Sequence, residues 1–141
     1  WLDYDNDGWQ DLFLLRFGMT SLFHNQQGKF VEAIEEFYTA GASMRENLGA
    51  PRVGRDLLVE HERKVLARAK SVASRCVRPV FVDGDNVVIR WVFDFVWLDG
   101  STTRMEELAY QRWSGDKIVE EQFFYDPAQR TPKPATGGSS R

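Results

Sequence analysis

Residues 86–125 read NVVIRWVFDFVWLDG, STTRMEELAYQRWSGD and KIVEEQFFY, three runs rich in β-branched and aromatic residues. Asp99-Gly100 and Ser114-Gly115-Asp116 separate them. Runs of this composition bounded by Gly and Asp are strands, and turns this short fold them into an antiparallel meander. Side chains alternate along a strand, so Val87, Ile89, Trp91, Phe93, Phe95 and Trp97 share one face of the first run. Val88, Arg90, Val92, Asp94 and Val96 share the other. Neither is an ordinary solvated face, and a strand apolar on both sides is covered on both. A layer of helices and a second subunit are the expected covers.

Upstream, the pattern turns helical. In FVEAIEEFY (30–38), Phe30, Ile34, Phe37 and Tyr38 fall on one helical face and the glutamates elsewhere. Asp11 to Asn25 has a patchier apolar face and is expected to be an earlier helix. Ser43 to Asn47 reads as a short extended piece. RDLLVEHERKVLARA (55–69) is a further helix, with Leu57, Leu58, His61, Val65, Leu66 and Ala69 as its buried stripe and Glu60, Glu62, Arg63 and Lys64 solvated. Ser71 to Val82 is a long strand in which Pro79 marks an edge or a bulge. Helices gathered on one face of an antiparallel sheet define an α+β fold. The expected form is a cone-shaped bent antiparallel sheet wrapped around three helices, an α+β barrel with a cavity. It occupies 30–127, after an N-terminal acidic segment and first helix (1–29) and before a Pro/Gly/Ser-rich tail (128–141) expected to be disordered.

A length of 141 residues suits one domain with a sizeable core. A net charge of −3 offers no basic patch, which argues against nucleic acid as a partner. No apolar run reaches a membrane span. The single cysteine, Cys76, excludes an internal disulfide and fits a reducing, cytoplasmic setting. With only His24 and His61 beside it, a transition-metal site is not expected, and no phosphate-binding glycine motif or serine-hydrolase elbow is present.

The N-terminal stretch WLDYDNDGWQD sets Asp3, Asp5, Asp7 and Asp11 around Gly8. Alternate aspartates before a glycine turn can gather hard oxygen ligands around Ca²⁺, although the closing glutamate of an EF-hand is absent. Over about the first thirty residues the pattern resembles one FG-GAP (VCBS-type) repeat of β-propellers, in which the D-x-D-x-D-G-x-x-D loop binds calcium. One blade cannot bury its own faces. The alternative is a solvated acidic cap.

The order of helices and strands, with MEELAYQRWSGDKIVEEQFFYDP at its end, resembles the nuclear transport factor 2-like superfamily in its SnoaL-like branch, over roughly Phe30 to Pro127. Its members include ketosteroid isomerase, polyketide cyclases and limonene epoxide hydrolase. Laid over ketosteroid isomerase, VEAIEEFYTAGASMRENLG brings Glu46 to the position of the carboxylate base and Tyr38 to a tyrosine of the hydrogen-bonding network. Ala109 and Leu22 fall where the two oxyanion donors should be, which argues against steroid isomerisation. The same comparison implies a pocket lined by Arg90, Asp94, Met105, Glu107, Gln111, Glu121, Phe123 and Tyr125. It turns Trp91, Phe93, Phe95 and Trp97 outward, to a homodimer interface.

Carboxylates crowded in one apolar pocket have raised pKa values, so one can donate a proton while another accepts. Glu46, Asp94 and Glu107 are the catalytic candidates; Asp94, Arg90 and Glu107 could imitate the Asp-Arg-Asp set of limonene epoxide hydrolase. The bland reading is that Arg90 forms a structural ion pair with Asp94 or Glu107, and that His61 is a satisfied core histidine. Three functions follow. The first is a cofactor-independent isomerase, cyclase or epoxide hydrolase acting on a small apolar molecule. The second is a non-catalytic binding module for such a molecule. The third is a dimerising scaffold with a vestigial pocket.

Overall fold

The computed structural model describes residues 12–16, 19–23 and 30–135. Leu12–Arg16 (β1) and Met19–Phe23 (β2) pair as an antiparallel hairpin, a small sheet of its own. A helix was expected between Asp11 and Asn25; an apolar run interrupted by Gly18 is a poor helix. Asp3, Asp5, Asp7 and Asp11, with the calcium reading attached to them, lie outside the described residues.

The main body runs Phe30–Phe37 (α1), Tyr38–Glu46 (β3), Arg52–Val53 (β4), Arg55–Leu66 (α2), Ala69–Asp83 (β5), Asn86–Trp97 (β6), Thr102–Ser114 (β7) and Lys117–Phe124 (β8). The last six strands form one curved sheet in the order β4-β3-β8-β7-β6-β5. All neighbours are antiparallel except β3 and β8, so the sheet is mixed rather than purely antiparallel. The fold is α+β as expected, but with two α-helices rather than three among the described residues. Tyr38 opens β3 instead of closing α1.

Pro79 lies in the register shift of β5, on the edge of the sheet, where a residue without an N–H costs least. Gly54 precedes α2 at φ +106, a conformation that side chains avoid, and its N–H bonds the Ala42 carbonyl at 2.8 Å. That turn swings α2 back over the concave side of the sheet. Ile34 of α1 and Leu58 and Val59 of α2 pack there on Ala42, Val87, Ile89, Trp113 and Ile118.

Residues 127–133 are held against the sheet. Pro127–Arg130 forms a 3-10 turn, and beyond it Thr102 and Lys133 exchange backbone hydrogen bonds of 2.9 and 2.7 Å. Polar, Pro-rich composition suggested disorder, but the free β7 end at Thr102 gives this strap a backbone to pair with.

Candidate active site

The sheet face turned toward α2 is set by register. Trp91 lies opposite Glu107, Phe93 opposite Met105 and Phe95 opposite Thr103. Directly opposed residues share a face, so the aromatic row of β6 points inward with Glu107. The expected arrangement is therefore reversed on β6. Arg90 and Asp94 sit on the outer face, where Arg90 pairs with Glu106 and Asp94 with Arg104 at 3.2 Å, all about half exposed. A one-residue slip exchanges the faces. Here the turn closes with the Trp97 N–H on the Ser101 carbonyl, fixing odd positions of β6 opposite odd positions of β7. Asp94 and Arg90 leave the candidate site. Trp91, Phe93 and Phe95 join it and are not an interface on the sheet's outer side.

The cavity so enclosed is about 350 Å³. Trp91, Phe93, Phe95, Met105, Phe123 and Trp113 supply most of its apolar wall, with Ile34, Phe37 and Val65 from the helices. Its polar groups fall into three sets.

Deepest is Glu121, 3% exposed, on β8. It accepts a hydrogen bond from the Tyr38 hydroxyl and another from Gln111 Nε2 at 2.7 Å. Gln111 Oε1 in turn accepts from Trp113 Nε1 at 3.2 Å. Burial pushes the Glu121 carboxyl up to about 7 despite these donors. Burial and the Glu121 charge hold Tyr38 well above the usual phenol range.

Beside it on β7 stands Glu107, 9% exposed. Its side chain makes no hydrogen bond or ion pair among the described residues, and it lines the cavity. Burial, reinforced by the charges of Glu121, Glu46 and Glu62, pushes its carboxyl up to about 8. This is a carboxylic acid that keeps its proton at neutral pH, the state in which it can donate.

At the mouth, Glu46 is gripped from three sides. It accepts from the Tyr125 hydroxyl, from Arg52 at 2.9 Å and from Arg130 at 2.8 Å. Burial pushes its carboxyl up, but Tyr125, Arg52 and Arg130 outweigh that and hold it below the usual range. Asn47 sets this geometry: at φ 48 it ends β3, donates its backbone N–H to the Phe123 carbonyl at 2.7 Å and accepts from the Tyr125 N–H at 3.0 Å. Asn tolerates the left-handed region better than most residues.

Four polar residues of the cavity were not expected there. Glu62 was read as solvated and His61 as a core histidine; both line the cavity from α2. Burial raises Glu62, and burial followed by nearby Arg52 lowers His61, leaving a neutral imidazole. Arg52 lies between the expected extended piece and the expected helix, in a stretch given no role, and Arg130 comes from the expected tail. Arg52 Nε is the one buried side-chain polar atom without a partner among the described residues.

A neutral acid and a neutral imidazole in one apolar cavity can give and take a proton without a cofactor. No group of metal-binding side chains occurs among the described residues, and no helix there is long and apolar enough to cross a membrane.

A family model described as a SnoaL-like domain matches residues 20–121. The chain belongs to that family. No curated protein sequence matches it. Among solved structures, PrhC from Penicillium brasilianum superposes with a TM-score of 0.66 at 11% identity, covering 74% of each chain. A protein of ketosteroid isomerase-like fold from Catenulispora acidiphila, solved with trimethylamine, gives 0.64 at 18% identity over 73% of this chain and 80% of its own. An LEH-like epoxide hydrolase of M. tuberculosis gives 0.63 at 10% identity over 73% and 75%. At such identities the likeness is one of fold, and this SnoaL-like fold carries several chemistries.

Proposed function

We propose that this SnoaL-like protein is a cofactor-independent acid–base enzyme acting on a small apolar molecule. Glu107 is its proton donor and His61 its acceptor. The observation that carries this reading is the position of Glu107: a residue 9% exposed, its carboxyl without a hydrogen bond or ion pair among the described residues and facing a cavity with room for a ligand, where burial pushes it up to about 8. A structural carboxyl in that setting would be expected to have donors around it, as Glu121 does. Tyr38, Gln111 and Glu121 act as positioning residues that stiffen the cavity floor. Glu46, the base suggested by family comparison, is too well paired to accept a proton readily, and its role is to draw Arg52 and Arg130 across the mouth.

The reaction classes that suit a donor and an acceptor in an apolar pocket are opening of an epoxide by water, with Glu107 protonating the ring oxygen as its C–O bond breaks and His61 taking a proton from the attacking water, or a proton shift next to a carbonyl. The epoxide hydrolase among similar folds supports the former only by analogy. The test is turnover of 1-methylcyclohexene oxide and of a β,γ-unsaturated ketone by the wild type and by Glu107→Gln. A loss of at least about 100-fold in kcat/KM in a folded variant is expected. Undiminished turnover, or a Glu107 carboxyl titrating in the ordinary range by NMR, sinks the assignment.

A second reading, a binding module without turnover, is favoured by the complete pairing of Glu46. The trimethylamine seen with a relative is consistent with small-molecule binding in this fold. The vestigial-pocket reading requires a filled interior and loses support from the open cavity. A homodimer, if formed, cannot use the inward aromatic row; Leu108 and Phe124 are exposed on the outer face instead. Sedimentation of the wild type and Leu108→Glu decides that point.

A further inference from the structure

We propose that the cavity opens into a second chamber and that the two together select a flat apolar molecule ending in a carboxylate, with Arg68 holding its anionic end. This rests on the acid–base reading only in assigning the ligand's reacting end to the Glu107 chamber.

The second chamber, about 460 Å³, lies between the C-terminal end of α2, the β6–β7 turn and the strap. Val65, Phe95, Met105 and Arg130 line both chambers, so the two adjoin. Phe95 is the aromatic residue common to both, and a flat surface continues from it into the outer chamber. Phe95 and Trp97 stack with their rings 5.0 Å apart and inclined by 7°, and Trp97 Nε1 is fixed by Thr103 Oγ1 at 2.8 Å. Planar surfaces of that kind favour planar ligands.

The two chambers differ in charge. The inner one carries Glu46, Glu62, Glu107 and Glu121, and its two arginines, Arg52 and Arg130, are both paired with Glu46. The outer one is lined by Arg68, Arg130 and a single acid, Asp99. Asp99 is turned to its own loop, accepting from the Ser101 N–H at 2.9 Å and its hydroxyl at 2.6 Å. The Arg68 guanidinium lies over the Trp97 ring, 5.5 Å from its centre, with no hydrogen bond or ion pair among the described residues. A guanidinium placed over an indole by a cation–π contact still has its N–H donors to offer a carboxylate. Charge complementarity thus orients the ligand: its anion outward at Arg68, its neutral end inward at Glu107.

The test is calorimetric binding of 2-naphthoate and 2-naphthamide, matched in shape and differing in charge, to the full chain and to Arg68→Gln at pH 7. Naphthoate should bind the wild type about 10-fold tighter than naphthamide, and Arg68→Gln should remove that preference while changing naphthamide affinity less than about 2-fold. Equal affinities, a preference that survives Arg68→Gln, or no measurable binding of either probe at millimolar concentration overturns the proposal. Failure of the acid–base reading shows elsewhere, as turnover indifferent to Glu107→Gln, and leaves the naphthoate preference intact.

Discussion

Glu107 ties the chemistry to the stability of the fold. Burial pushes its carboxyl from the ordinary 4.5 up to about 8, so the native state holds an extra proton between those values. Stability falls with pH wherever the native state binds more protons. The loss begins above about pH 4.5 and is complete near 8, and Glu121, raised to about 7, adds to it in the same direction. Glu46 acts oppositely: its depressed pKa gives stability that disappears as pH falls through the acid range. The melting temperature should therefore peak near pH 5 and decline toward pH 8.5. Glu107→Gln, which stays neutral, should flatten that decline and melt higher than wild type at pH 8.5. Thermal scans across pH check this, and a wild-type curve still rising between pH 6 and 8.5 would refute the buried acid. Tyr38→Phe tests its neighbour. It removes a donor from a buried carboxyl, a loss of about 1–3 kcal/mol in denaturant titrations, and it should raise the Glu121 pKa further.

At the scale of elements, β6 decides what the cavity is made of. Phe93→Ala removes a wall of the cavity and should weaken naphthoate and naphthamide alike, at a stability cost of a few kcal/mol. Asp94→Asn alters only a half-exposed pair with Arg104 and should change binding and stability by less than about 0.5 kcal/mol. The reverse pattern in urea titrations and calorimetry would restore the outward-facing aromatic row. This contrast also marks where the sequence was readable. Val87 to Trp97 announces a buried strand by composition, and the alternation groups its residues correctly into two sets. Which set faces inward depends on the closure at Trp97–Ser101 and on pairing with β7, and no residue within β6 states it. Met105, Glu107, Gln111, Glu121 and Phe123 were placed in the cavity from the comparison alone, and they line it. His61 and Glu62 were missed for a related reason. Leu58, His61, Glu62 and Val65 follow helical spacing, yet a charged residue between apolar ones reads as solvated unless a cavity is known to lie beneath. Tyr38 was legible as a pocket residue but not as the first residue of β3. A helix runs straight into a strand there, without a Gly or Pro to mark the change.

For the whole molecule, the strap after Asp126 makes the bent sheet into a chamber with a defined mouth. The six-stranded sheet is complete at Phe124, so the fold does not need the residues beyond it. Those residues nonetheless contribute Arg130 to Glu46 and Tyr125, Gln129 to the Glu106 backbone N–H at 2.6 Å, and Lys133 to Thr102. Arg130 and Pro132 also line the outer chamber. None of these links is strong alone: the Glu46–Arg130 pair is partly exposed, and each backbone hydrogen bond adds about 1 kcal/mol net. Ending the chain after Asp126 should therefore leave a folded protein, with an unchanged far-ultraviolet dichroism spectrum and a melting temperature lower by a few degrees. It should also open the mouth and release one of the cations gripping Glu46, whose pKa then rises toward the ordinary value. Binding should respond more than folding does, with naphthoate losing most of its advantage over naphthamide because one wall of the outer chamber is gone. A truncated chain that keeps the full preference would mean that the strap merely rests on β7 and that ligand selection lies wholly within the sheet and α2.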